Sequence, residues 1–435
     1  KIMPNQLKIP KEVDISIIGG GMVGASLALL LSSYKCGWKI QIIDSQSFEN
    51  LSISSTKKCF DVRSTALSQS SREIYQTLGI WEALSSNVTP ISKVNISDKG
   101  CLGSVKLLAE EHNLPALGYV VENQSMGSAL FEAINETDDI EIIDSAKIEQ
   151  LIPVPGGMEL FFSTRLQPDK TREINTKLLV VADGARSAAR SLLGVGVTIK
   201  NYDQVAIVAN ILLSQDHNNI AYERFTDSGP LAMLPLNKID DAHRSALVWT
   251  VSPVQAEKLL SLPKNEFLAE LQSCFGFRLG KFIGVGLRNS FPVQLITSDE
   301  QVRSNLVLVG NAAHSLHPVA GQGFNLALRD IAVLADQLAK SALDNQTLGE
   351  YRVLESYLKH QKLDQKRTIL LSDFLPTIFG STALPAKVTR NIGLFALDMI
   401  PSLRTNFAKL GMGLQTRSLK LSSARLSNSM PSDTE

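Results

Sequence analysis

The stretch GNAAHSLHPVAGQGFNLALRD, from Gly310 to Asp330, gathers two histidines, three glycines and a proline beside an apolar run, NLVLV. His314 and His317 carry the side chain that exchanges a proton near neutral pH, so acid–base work is the first chemistry to consider. A histidine in such a loop also serves as a hydrogen-bonded packing residue, and both readings stay open here. Pro318 stiffens the loop and offers a carbonyl with no N–H beside it. Gly321 and Gly323 let the main chain approach a ligand, and the N–H groups of a helix opening after Gly323 attract electron-rich atoms. Asn325 suits the role of helix cap, and Asp330 that of a structural or cofactor-shell acid. The stretch reads as half of a binding site.

A second half stands near the start. VDISIIGGGMVGASLALLLSS is a short apolar strand-like run, then Gly19, Gly21 and Gly24 in G-x-G-x-x-G spacing, then a helix-like run. The first glycine makes the turn, the second admits a pyrophosphate and the third lets helix and strand pack closely. A further apolar run, WKIQIID, ends in Asp44, at the distance where such folds carry the acid that binds ribose hydroxyls. Strand, glycine turn, helix, strand and acid together point to a dinucleotide. Further along, TKLLVVADGARSAARSLLG repeats the strand–turn–helix pattern, with Asp183 and Gly184 at the turn and Arg186, Ser187 and Arg190 after it.

Composition narrows the class. The 435 residues are 44% hydrophobic and 20% charged, enough for a substantial core in one large or two medium domains. Lys+Arg and Asp+Glu balance at 43 each, which gives nucleic acid no electrostatic hold. Cys36, Cys59, Cys101 and Cys274 form no C-x-x-C pair, so no metal knuckle or redox dithiol is expected, and a reducing cytoplasmic setting fits. The N-terminal stretch lacks a secretory h-region, and no apolar run reaches the ~18 residues of a membrane span.

Three ordered motifs, the N-terminal glycine fingerprint, the DGARSAAR turn and the GNAAHSLHPVAGQGFN loop, resemble the flavin-dependent aromatic hydroxylases, or class A flavoprotein monooxygenases. The runs FDVRSTALS (Phe60 to Ser68), LGYVVEN (Leu117 to Asn123), ERFTDSGPLAMLPL (Glu223 to Leu236) and RNIGL (Arg390 to Leu394) are similar to the ubiquinone-biosynthesis branch of that family. The resemblance implies FAD as cofactor, NADPH or NADH as electron donor and O2 as co-substrate. It implies that O2 adds at flavin C4a and that the hydroperoxide hydroxylates the ring of a 2-polyprenyl-6-methoxyphenol. Hydroxylation at another ring position of the pathway, or a non-catalytic FAD-containing scaffold, are the alternatives. A nicotinamide-only dehydrogenase would leave the two later motifs unexplained. A flavin halogenase would need a W-x-W-x-I-P run, whereas Trp38, Trp81 and Trp249 stand far apart.

The resemblance also distributes roles. Gly19, Gly21, Gly24 and Asp44 hold the adenosine and pyrophosphate side of FAD, and Arg63 reaches the pyrophosphate or the nicotinamide cofactor. Glu122 and Asn123 contact FAD, although Asn123 also suits an N-cap. Asp183 and Gly184 lie where FAD and nicotinamide meet. Gly310, Asn311, Gly321, Gln322, Gly323 and Asn325 hold the ribityl chain and the ring edge, and Pro318, His317 and His314 stand as candidate catalytic residues. Asn311 departs from the family, which carries Asp there; the amide keeps an acceptor oxygen, adds donors and removes a charge.

The fold implied is α/β: a Rossmann-like FAD-binding domain interrupted by a mostly antiparallel substrate sheet and followed by C-terminal helices, of the p-hydroxybenzoate hydroxylase type. The expected FAD portion covers residues 1–88, 112–190 and 286–350, and the substrate portion 89–111 and 191–285. A helical region over 351–415 and a disordered tail over 416–435 complete the chain. The apolar, basic stretch from Phe374 onward invites peripheral contact with the inner membrane. Partners beyond a polyprenyl phenol, such as other ubiquinone-biosynthesis proteins or a second copy, are left open.

Overall fold

A computed structural model describes residues 11–47, 63–99, 104–316 and 321–380, with side chains through 374. Its first layer is an eight-stranded sheet built around Glu12–Ile18. Across the sheet the order is Val302–Arg303, Leu306–Leu308, Gln167–Val181, Glu12–Ile18, Ile40–Ile43 and Ile140–Ile143. All neighbours are parallel except the first pair. The meander Ala146–Val154, Gly157–Thr164 and Gln167–Val181 extends one side. A strand buried on both faces needs an almost unbroken apolar run, and that is what DISII, IQII and LLVV supply.

One face carries Ile15, Ile17, Ile42 and Val180 into a core shared with the helices Met22–Ser33, Asn123–Asn135 and Gln322–Leu343. The other carries Ile18, Ile43, Leu179 and Val181 against Leu160 and Phe162 of the meander. Helix Met22–Ser33 is apolar almost all round because it packs against both of the other helices as well as the sheet.

The second layer is a nine-stranded sheet, antiparallel except where Ile220–Thr226 runs beside Lys93–Asp98. Its helix-covered face presents Ile207, Met233, Leu247 and Trp249 to the helices Pro253–Ser261 and Lys264–Phe275. Strand Asn289–Ser298, expected within the FAD portion, belongs to this sheet, paired with Val197–Leu213 from Val197↔Ser298 to Val208↔Asn289. The boundary expected near residue 286 therefore moves past Ser298. The turn before Asn289 is visible in the sequence, but the partner strand that claims the next segment is not.

A three-stranded antiparallel sheet, Ser64–Ser68, Gly118–Glu122 and Val88–Ile91, bridges the layers. The helix Tyr351–Gly380 lies along Gln322–Leu343 and reaches the strands Ile220–Thr226 and Gly229–Ile239. The expected tail over 416–435 and the run at Arg390 fall outside the described residues.

Glu122 ends the bridging sheet and takes a two-pronged contact from Arg244 of the second sheet, with Nη1 to Oε1 at 3.0 Å and Nη2 to Oε2 at 3.3 Å. Arg244 is 1% exposed and also donates Nε–H to the Asn237 carbonyl at 2.9 Å. Removing the carboxylate strands a buried guanidinium, whereas removing the guanidinium leaves a carboxylate that is 21% exposed and can rehydrate. Glu122→Ala should thus lower unfolding free energy by about 3 kcal/mol and Arg244→Met by less. Denaturant titration of both variants checks the order; a larger loss in Arg244→Met would defeat the argument.

Candidate active site

The glycine turn is shaped by what it touches. Gly19 has φ +102°, and a Cβ there would lie 2.6 Å from the carbonyl of Ala182 and 2.7 Å from the amide nitrogen of Asp183. A Cβ on Gly24 would sit 1.9 Å from the Gly19 oxygen, so turn and helix meet with no room for a side chain. Asp44 braces the loop from the neighbouring strand, its Oδ2 accepting from Gly20 N–H at 2.6 Å and Oδ1 from Gln46 N–H at 2.8 Å. Gly21 differs: a Cβ there would meet nothing within 4 Å, and its φ of −63° is open to any residue. The protein itself does not require glycine at position 21, which points to a ligand passing there.

The middle motif docks on this turn through Ala182 N–H donating to the Ile18 carbonyl at 2.7 Å. Asp183 accepts from Ala189 N–H through Oδ2 at 3.1 Å, while its Oδ1 is buried without a partner among the described residues. Ser187 caps the short helix Ala188–Leu192, and buried Arg190 donates to the carbonyls of Ala185 at 2.9 Å and Ala312 at 2.8 Å. That arginine ties the middle motif to the late one. Gly184, at φ +89°, supplies the left-handed bend between the strand Gln167–Val181 and that short helix.

In the late motif Gly310 has φ +60° and faces Val23 of the first helix, where a Cβ would come within 3.2 Å. Asn311 follows, exposed, in a single 3₁₀ turn. Gly321, at φ +62°, opens the helix Gln322–Leu343 close to Ala66. Neither this helix nor Met22–Ser33 has a side-chain cap or an acid in its first turn. Two helix openings thus offer N–H groups to an electron-rich ligand. Gly323 has space around it, its nearest neighbour for a Cβ being Leu316 at 3.8 Å, and Gln322 is buried and engaged. The open Gly21, the unpartnered Asp183 oxygen and the two uncapped helix starts fit a dinucleotide with a polar, anionic backbone.

Several expected contacts are instead taken by the protein. Asn325 accepts from Ser68 N–H at 2.8 Å and Ser71 Oγ at 2.7 Å, and donates to the carbonyls of Ala66 and Gly321, both at 2.8 Å. All four positions of the amide are filled, so Asn325 staples the loop to the bridging sheet. Glu122 is held by Arg244, which leaves it a positioning residue as well. Asn123 is the first residue of its helix, the cap position falling to Glu122, and its Oδ1 accepts from Thr65 Oγ1 at 2.7 Å. Its backbone N–H donates to the Arg63 carbonyl at 2.8 Å, which fixes the strand that carries Arg63. Arg63 is exposed, its guanidinium 5.1 Å above the ring of Phe291 from the second sheet.

His314 faces inward. Its Nε2 stands 3.0 Å from Asp330 Oδ2 with both side chains no more than 1% exposed, and Gln365 donates to the same oxygen at 3.2 Å. The contact holds the loop to the helix Gln322–Leu343, and Gln365 ties the same oxygen to Tyr351–Gly380, which corrects the acid–base expectation for His314; at this burial it meets no substrate. His317 and Pro318 lie outside the described residues.

A family model for the FAD binding domain matches residues 12–362. The chain belongs to that family. It is 32% identical to a ubiquinone hydroxylase of Rhodospirillum rubrum over 93% of this chain and 90% of the relative. It is 30% identical to the 3-demethoxyubiquinol 3-hydroxylase of Escherichia coli, over 93% of this chain and 99% of the relative. Its fold matches the crystal structure of p-nitrophenol 4-monooxygenase from Pseudomonas putida with a TM-score of 0.75 at 16% identity, covering 94% of this chain and 100% of that one. The chain is an FAD-dependent aromatic-ring hydroxylase of the class A flavoprotein monooxygenases.

The contrast between Gly21 and Gly24 is testable. Gly24→Ala should reduce stability by about 2 kcal/mol whether or not flavin is present, because its Cβ overlaps the Gly19 carbonyl. Gly21→Val should leave the melting temperature of flavin-free protein near wild type yet abolish the absorbance near 450 nm that bound flavin gives. Normal flavin content in Gly21→Val would remove the pyrophosphate from this turn.

Proposed function

We propose that the protein hydroxylates the aromatic ring of a 2-polyprenyl-6-methoxyphenol on the way to ubiquinone, with NADPH or NADH as electron donor and O2 as oxygen source. The observation that carries this reading is the site's two-sided make-up. One half of the molecule supplies backbone-rich turns at Gly21, Asp183 and Gly321, and the other a sheet whose side away from its covering helices carries partly buried Ala232, Val248 and Val208. The match in length and sequence to hydroxylases named for ubiquinone steps supports the pathway.

Bound FAD supplies the redox chemistry that divides O2 between a ring hydroxyl and water. The chain's part is to hold and to exclude. Gly21 and the helix start behind it receive the pyrophosphate, and Asp44 keeps the turn in shape. Asn325 and the His314–Asp330 pair fix both ends of the loop that borders the ring system. The apolar sheet keeps water from the reacting carbon. Each buried CH2 of a prenyl tail contributes about 0.8 kcal/mol, so the tail dominates affinity while the ring determines chemistry.

Purified flavin-loaded protein given NADPH, O2 and a short-chain 2-methoxy-6-prenylphenol should release a ring-hydroxylated product, with NADPH oxidation stimulated by the phenol. Oxidation that yields only H2O2 would sink the assignment. One observation favours a second reading at the level of ring position: the Escherichia coli relative is named for hydroxylation of a different substrate, 3-demethoxyubiquinol. Hydroxyl placement in the product, read by NMR, decides between them.

A lipid-borne substrate asks for a membrane surface. Among the described residues no helix is long and apolar enough to cross a membrane. The helix Tyr351–Gly380 does expose Leu363 (58%), Leu370 (66%) and Phe374 (59%) at spacings of seven and four, among Lys359, Lys362, Lys366 and Arg367. That combination suits docking on anionic lipid. Co-sedimentation with phosphatidylglycerol vesicles should be seen for the wild type and fall about tenfold in Leu370→Glu/Phe374→Glu; equal sedimentation of the two would exclude this helix as the anchor.

A further inference from the structure

The second sheet carries, in the middle of its open side, a carboxylate that none of the contacts described above employs. Across its strands the register runs Ile96, Glu223, Ala232, Val248, Val208 and Asn289. The odd-numbered neighbours Ile207, Met233, Leu247 and Trp249 and the adjoining Tyr222 are buried beneath the helices. Glu223, Ala232, Val248, Val208 and Asn289 are all only partly buried, a continuous accessible row. The direction this row faces is fixed twice. Phe291, two residues from Asn289, lies under Arg63 of the flavin-binding half. Arg244, four residues from Val248, grips Glu122 of the same half. Glu223 therefore stands on a floor of alanine and valine that looks toward the flavin turns.

Its surroundings explain its ionisation. No hydrogen bond or ion pair engages Glu223 among the described residues, and burial alone pushes its carboxyl from 4.5 up to about 7. Several charged groups on the elements around the floor are engaged elsewhere. Arg244 pairs with Glu122, Asp373 takes contacts from Lys200 and Tyr202, Asp364 pairs with Arg329, Arg63 lies over Phe291, and Asp98 has its own partner. The adjoining Arg224 points the other way, donating to the Cys274 carbonyl at 3.0 Å.

We infer that Glu223 is the base that takes the phenolic proton of the aromatic substrate. The inference rests on the proposed hydroxylation. A ring attacked by electrophilic oxygen reacts faster as phenolate. In the step assigned to Glu223 the phenolic O–H bond breaks, its electron pair stays on the ring oxygen and the proton passes to the carboxylate; nothing is oxidised or reduced. After oxygen transfer the ring carbon sheds its hydrogen to water as a proton, and Glu223 returns its proton to the ring oxygen. A phenol ionises near 10, so a carboxyl raised to about 7 is a far better matched acceptor than one at 4.5.

The test is single-turnover hydroxylation of 2-methoxy-6-prenylphenol by the flavin-loaded protein across about pH 5 to 9. Glu223→Gln should lower the hydroxylation rate about 10²-fold or more and abolish the acid limb near pH 7, leaving flavin content and flavin reduction by NADPH unchanged; Glu223→Asp should keep part of the rate and the limb. A second readout separates catalysis from structure. A buried, unpaired carboxylate is ionised only at a loss of stability that sets in as pH rises from 4.5 and is complete above about 7. Glu223→Gln should thus melt higher than wild type above about pH 7 and alike below about 4.5, whereas a structural residue would melt lower when replaced. Hydroxylation by Glu223→Gln within about threefold of wild type, with the same pH limb, overturns the assignment.

Should the wild type yield H2O2 and no product, the hydroxylase reading fails. Glu223 is then judged by binding, through the flavin spectrum. An about tenfold preference for the free phenol over its O-methyl ether, lost in Glu223→Ala, upholds its contact with the hydroxyl. A preference that survives in Glu223→Ala refutes it.

Discussion

The approach of Gly19 to the backbone of Ala182 and Asp183, and of Gly24 to the oxygen of Gly19, is the constraint on which the rest of the molecule depends. Two segments distant in sequence meet here without a side chain between them, so the strand ends and the first helix form one rigid seat. The hydrogen bonds around it pass the rigidity outward. Asp44 fixes the glycine turn, Ala182 fixes the middle motif to the first strand, and Arg190 carries that placement to Ala312 in the late motif. A close-packed interior transmits such placement because it cannot deform continuously.

Buried ions then set the large pieces relative to one another. Arg244 with Glu122 joins the second sheet to the bridging sheet. Arg329 with Asp364 at 2.6 Å joins the helix Gln322–Leu343 to Tyr351–Gly380. Such pairs contribute little net stability, since desolvation offsets most of their attraction, but a wrong pairing leaves a buried charge alone. In this molecule they act as registration devices between layers that hydrophobic packing would hold together in more than one way.

Much of the strand–turn–helix framework was legible in the sequence because its signals are local. The strand–glycine–helix order, Asp44, and the Asp183–Gly184 turn each follow from residues within about one βαβ unit. The failures share a cause in long-range partners. Glu122 and Asn123 end an apolar strand in the sequence; the fact that Arg244, 122 positions away, claims Glu122 is written nowhere near it. Asn325 reads as a helix cap until Ser68 and Ser71 arrive from more than 250 positions earlier. The role of His314 stayed open because its partner Asp330 lies about two turns into a helix whose inward face is set only by packing. One missed signal was present: Arg244 sits at an inward position of an alternating strand, HRSALVWTV, where a charge demands a partner.

The site divides its work between two kinds of scaffold. A large polar cofactor is common to every turnover, and backbone N–H groups at glycine turns can hold it with few side chains, which leaves those turns narrow in what they tolerate. An apolar phenol needs a surface with shape and one well-placed polar atom, and a sheet supplies both, since alternate residues share a face and neighbouring strands fix their spacing. The unpaired Glu223 is then the expected exception to a satisfied core. Helix and sheet packing can hold an unfavourable carboxyl in place because it lies mid-strand, flanked by strands on both sides that keep it over an apolar floor. Moved to a loop, the same side chain would find solvent, its pKa would return to the ordinary range, and it would be too weak a base for a phenol.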